Sequence, residues 1–161
     1  MLQKLKPLAS VLVIVVVTLL VNNVASALGL NNLLAPGTTR YAVVNATSNA
    51  YINSTAFVNL DGLSTSITIP SGKHGDVMVF FCGEALSDSF MKVQAMIGST
   101  AMAPGEVQLR GNALGSESQC VNFSKPGVVA GSKTIRMQWR GTTMAQQQMF
   151  KRSMIVIVNV H

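Results

Sequence analysis

The chain has 161 residues, a formal net charge of +6, 48% hydrophobic residues and only 11% charged residues, against about 25% charged in an average soluble protein. That length holds one domain and a targeting segment. Intrinsic disorder is excluded as the main state by the amount of apolar surface, and a collagen-like or coiled-coil body by glycines without a triplet period and the lack of Glu/Lys heptads.

Residues 1–27 read as an address. Lys4 and Lys6 form a positive start, and Leu8 to Val21 is apolar except for Ser10 and Thr18. As a helix that run is roughly 21 Å long, short of the ~30 Å of a membrane core. Ala25-Ser26-Ala27 then offers the small residues a signal peptidase reads, so cleavage after Ala27 is expected. The alternative is an uncleaved anchor, the single way this reading brings the chain to a membrane. Export lowers the formal net charge from +6 to +4 by removing Lys4 and Lys6. Residues 28–39 form an N-terminal arm, with Leu28, Leu30, Leu33 and Leu34 ahead of Pro36-Gly37. A donor-strand role for it would cover those leucines.

Residues 40–161 read as strands. Short β-rich runs occupy 41–44, 56–60, 64–69, 76–84, 90–97, 107–110, 119–123, 133–140 and 153–160. Turn residues separate them, among them Asp61-Gly62, Pro70-Ser71-Gly72, Gly98-Ser99, Pro104-Gly105, Gly111-Asn112, Pro126-Gly127 and Ala130-Gly131. The stretch 144–151 reads as a loop. The pattern predicts an all-β antiparallel sandwich, with the jelly roll as its expected form.

Alternation assigns faces. Ile135, Met137 and Trp139 share one side of their strand, and Thr134, Arg136, Gln138 and Arg140 the other. Two strands are apolar on both sides. Val77, Val79 and Phe81 oppose Met78, Phe80 and Cys82, and Met154, Val156, Val158 and Val160 oppose Ile155 and Ile157. A sandwich buries only one side of each sheet, and leaving ~400 Å² of such surface wet forgoes on the order of 10 kcal/mol. A subunit interface is therefore expected, with Met78, Phe80, Met154, Val156 and Val158 as its candidate residues.

The stretch 130–140, Ala-Gly-Ser-Lys-Thr-Ile-Arg-Met-Gln-Trp-Arg, followed by Arg152-Ser153-Met154-Ile155-Val156-Ile157, resembles the last hairpin of small secreted or phage-associated β-sandwich domains. These are similar to jelly-roll heads of the tumour-necrosis-factor and C1q type. Lys133 stands where that pattern has His, and Met154 where it has Leu. The resemblance covers the terminal hairpin alone. It implies a head that assembles, commonly as a trimer, and binds or builds without catalysis. It transfers no functional site.

Cys82 and Cys120 are the only cysteines, and an even number in an exported chain reads as a disulfide. Closing a loop of about 39 residues is worth roughly 4 kcal/mol. Two buried thiols are the alternative. Metal ligation is disfavoured because only His74 and His161 could accompany them. A calcium loop on Asp61, Asp76 or Asp88 would need converging oxygens that sequence does not reveal. Met144 and Met149 flank a polar glutamine run, but the other methionines fall inside strands at core parity, and core filling or an adaptable contact surface is expected rather than a copper site.

His74 and Asp76 fit a polar turn better than half of a catalytic pair, since no nucleophile motif accompanies them. No enzyme activity and no cofactor are expected, and motifs for nucleic acid are missing. Arg136, Arg140, Lys151 and Arg152 mark a candidate anionic-ligand patch for an acidic polysaccharide, against the alternative of edge-protecting charges. Three sequons begin at Asn45, Asn53 and Asn122. The expected function is a secreted or cell-surface structural or adhesive β-sandwich that associates with itself as an oligomer or filament. The alternative is a module that binds carbohydrate or another surface ligand through loops at one end.

Overall fold

The computed structural model describes residues 39–86, 90–110 and 116–161. The signal segment, nearly all of the arm, Asp88 and the Gly111-Asn112 turn lie outside them. Eight strands follow in order: β1 (Thr39–Ala46), β2 (Ala50–Ile52), β3 (Val58–Leu86), β4 (Met91–Ile97), β5 (Thr100–Ala101), β6 (Val107–Leu109), β7 (Glu117–Gly141) and β8 (Gln147–Val160).

All ladders are antiparallel and nested about the middle of the chain. β4 pairs with β5 and β6, β3 with β7 outside them, and β8 with β1 and β3 outermost. The two long strands each serve two sheets. Residues 75–86 of β3 and 117–125 of β7 join β8 and β1, in the order β1-β8-β3-β7. Residues 58–69 of β3 and 131–141 of β7 join β4 with its short partners, in the order β3-β7-β4-β5/β6. Nested hairpins with this strand order, folded so that both sheets share one core, make a jelly roll.

Several expected turns are bends within continuous strands. Pro70-Ser71-Gly72, Pro126-Gly127 and Ala130-Gly131 lie where β3 and β7 pass from one sheet to the other. The β3–β7 register shifts between Ile69 and His74 and between Gly75 and Val77. Irregularities of this kind bend and twist a strand without ending it. Gly127 has φ +64°, a left-handed conformation that side chains resist. A Cβ on Gly75 would approach Ile69 Cδ1 to 2.8 Å and Val158 Cγ1 to 3.2 Å, so a side chain there would have to displace these side-chain ends. The 144–151 loop expectation is corrected, because β8 begins at Gln147. Gln147 and Met149 are buried there, and their alternation is hidden in a run of glutamines.

The core takes one side of every main strand. Val77, Val79 and Phe81 of β3 meet Val158, Val156 and Met154 of β8 in the first sheet, and Ile135, Met137 and Trp139 of β7 meet Ile97, Ala95 and Val93 of β4 in the second. Trp139, Phe81 and Phe123 are the bulkiest fully buried side chains. The alternation along 133–140 predicts the inward side of that part of β7 residue by residue.

Candidate functional sites on the two faces and at the crossing

The first sheet turns an apolar surface outward. Its register lines up Tyr41, Ile157 and Met78 across β1, β8 and β3, and Val43, Ile155 and Phe80 in the next row. Tyr41 is 64% exposed, Val43 53%, and Met78, Phe80 and Ile155 each close to 40%. Polar residues border these rows: Thr39, Asn159 and Asp76 beyond one end, Asn45 and Ser153 beyond the other, and Ser124 and Asn122 on β7. Two sequon asparagines, Asn45 and Asn122, thus flank the apolar rows.

Three of the interface candidates need correcting. Met154 and Val156 are fully buried and Val158 nearly so, because β8 turns its even-numbered residues into the core. The outward positions are Ile155 and Ile157. With both parities apolar, the strand alone does not say which side faces in. Tyr41 and Val43 were missed altogether, though the apolar run from Tyr41 to Val44 carries the same two-sided signal.

Cys82 and Cys120 oppose each other directly across β3 and β7 on this outer face. They form a disulfide with a Cα–Cα separation of 4.1 Å, and no free cysteine remains among the described residues.

The outer face of the second sheet is polar and tied together. Gln94 donates to Gln138 Oε1 at 2.8 Å, and Gln138 donates to Asn59 Oδ1 at 3.1 Å. This amide ladder crosses three strands. Glu106 accepts from both Lys92 and Arg140, and Arg140 lies 5.1 Å from the centroid of the Phe57 ring. The hydrogen bond from Lys92, and then that from Arg140, hold the Glu106 carboxyl below its ordinary pKa.

The anionic-ligand patch expected from Arg136, Arg140, Lys151 and Arg152 does not assemble. Arg136 and Arg140 lie on the second sheet's outer face, and Lys151 is exposed on the first. Arg152 is buried and donates to the carbonyls of Ser48, Met149, Phe150 and Asp61. Burial lowers its pKa, partly offset by the charge of Asp61. Arg152 therefore anchors the β1–β2 connection to β3 and β8. Sequence reasoning missed this because β8 alternates through Arg152 as it does through Met154.

Two other lysines do converge. A cleft of about 340 Å³ at the strand crossing is lined by Ser99, Thr100, Lys125, Gly127, Val128 and Lys133, among others. Lys125 and Lys133 stand opposite Val77 and Ile67, on the inward parity of β7, but where the sandwich opens. That position explains their half-burial, and no periodicity in the sequence marks it. Asp76, taken with His74 as a polar turn, accepts from the Gly127 N–H at 2.9 Å. No group of three or more His, Cys, Asp or Glu that could hold a metal occurs among the described residues.

No protein-family model matches the sequence, and no curated protein matches it. Solved structures with a similar fold include the infectious bursal disease virus VP2 subviral particle, at 10% identity and TM-score 0.48, over 78% of this chain and 37% of that one. Another is the CBM36-1 domain of a multidomain xylanase from the hindgut metagenome of Trinervitermes trinervoides, at 14% identity and TM-score 0.39, over 72% and 96%. A third is the EclA C-terminal domain, described as a sugar-binding protein, at 8% identity and TM-score 0.42, over 68% and 78%. The chain spans little more than a third of the length of the VP2 chain it matches.

Proposed function

We propose that this chain is an exported, non-enzymatic structural or adhesive subunit that associates with further copies of itself through the outer face of its first sheet. The observation that carries the reading is the double row of exposed Tyr41 and Met78 with half-buried Ile157 between them, and of exposed Val43, Ile155 and Phe80. Contiguous apolar surface of this kind marks an interaction site.

The rim favours a second copy as the occupant. Where a surface meets itself across a two-fold axis, a charge near that axis is brought close to its own copy. The border here is mostly amides and hydroxyls, which can donate to and accept from their counterparts without repulsion. Four strands at ~4.8 Å spacing and four rows at ~6.7 Å give a face of roughly 500 Å². Two such faces bury on the order of 1,000 Å², in the range of modest, reversible interfaces. The cross-strand disulfide supports an oxidising compartment. The likeness of the terminal hairpin to heads of the tumour-necrosis-factor and C1q type belongs to the same reading, since such heads assemble.

The alternative, a surface-ligand module acting through one end of the sandwich, is favoured by one observation, the lysine cleft. Sedimentation analysis of the exported protein tests the main reading. The parent protein is expected to gain mass with concentration across the micromolar range, and Phe80→Asp to remain a single chain with an unchanged melting temperature. A parent that stays monomeric up to high micromolar concentration overturns it.

A further inference from the structure

We infer that the cleft at the β3–β7 crossing binds the sulfate or carboxylate groups of an acidic polysaccharide, held by Lys125 and Lys133. Lys125 and Lys133, eight positions apart on β7, both line this cleft. Both side chains are half-buried. Neither has a hydrogen-bond or ion-pair partner among the described residues. Elsewhere the half-buried cations Lys92 and Arg140 pair with Glu106 and the buried Arg152 donates to four carbonyls, while the half-buried Lys73 and Arg136 have no ion pair among the described residues. A bound anion would supply the charged partner that both ammonium groups lack.

The surroundings select the ligand class. No carboxylate lines the cleft, and the neighbouring Asp76 accepts from the Gly127 N–H. Ammonium groups are point charges that accept sulfate and carboxylate alike, whereas a fork of arginine would favour planar bidentate partners. Ser99 and Thr100 offer hydroxyls at one wall, and Val128 offers an apolar wall to the C–H side of a sugar ring. The volume is at the lower end of small-molecule sites, enough for one or two sugar units of a longer chain that leaves through the open side.

Titration calorimetry on the exported protein tests the inference, with heparin as the sulfated probe, polygalacturonate as the carboxylated one, dextran as the uncharged one and sodium sulfate as the free ion. Heparin or polygalacturonate is expected to bind, more weakly as salt rises. Lys125→Gln with Lys133→Gln should cost roughly tenfold or more in affinity, and Lys125→Arg with Lys133→Arg should retain binding. Arg110→Gln with Lys151→Gln removes the same charge at other places and should change affinity less than about twofold.

Equal binding by the double Gln variant and the parent overturns the assignment. So does dextran binding as tightly as the charged polymers, or sodium sulfate binding as tightly as either. Binding confined to phosphatidylserine vesicles would overturn the choice of polysaccharide. The site does not depend on self-association, so Phe80→Asp should bind heparin as the parent does, and either proposal can fail alone.

Discussion

The outer faces of the two sheets stand on the same core and are built from opposite materials. The first presents Tyr41, Val43, Met78, Phe80 and Ile155 to solvent. The second presents Asn59, Gln94 and Gln138, hydrogen-bonded across three strands, with Glu106 between Lys92 and Arg140. Only the second has the half-polar composition expected of a solvated antiparallel sheet. An apolar outer face in an otherwise well-patterned sandwich is the feature on which the proposed self-association rests.

The largest effect expected from testing this comparison comes from two neighbouring residues of β3. Val79→Asp places an unpaired charge among Val156, Phe123 and the rest of the core. It should cost about 5 kcal/mol or more and abolish the cooperative melting transition. Phe80→Asp, one position along, should leave the melting temperature within the ordinary scatter of surface substitutions and remove only self-association. If both variants fold alike, the inward and outward assignment of β3 is wrong.

Next in size is the link between the edge strand β7 and β3. Replacing Cys82 and Cys120 together by serine should destabilise the protein by about 4 kcal/mol in chemical denaturation. The loss should reach the apolar face too, because this bond sits beside the Asn45–Ser153 row that borders it.

The smallest effect belongs to the second face. A carboxyl held below its ordinary pKa stabilises the fold above that ordinary value, and the contribution is lost as the pH falls through the depressed one. Melting temperature should thus decline on acidification through the carboxylate range, and Glu106→Gln should flatten part of that decline. The flattening should be slight, because the cluster is open to solvent. Equal acid curves for the two proteins would detach Glu106 from the stability of this face.

The legibility of these features follows their range along the chain. Ile135, Met137 and Trp139 could be assigned to the core from β7 alone, because polar residues alternate with them. β8 gave no such contrast, so Met154, Val156 and Val158 were placed outside when they lie within. Arg152 carried the signal of a surface charge, and only the carbonyls of Ser48 and Asp61, distant in sequence, explain its burial.

By itself the sequence determined an all-β antiparallel domain, the side of every strand whose polarity alternates, and the presence of more apolar surface than one sandwich interior consumes. Period-two patterning and turn residues are local, and a single strand is enough to express them. The tertiary structure decided which side of the two-sided strands faces out, that β3 and β7 each run through two sheets, and that Lys125 and Lys133 meet. Those outcomes depend on pairing between segments dozens of residues apart, where the choice is made by the partner strand and not by the strand's own composition.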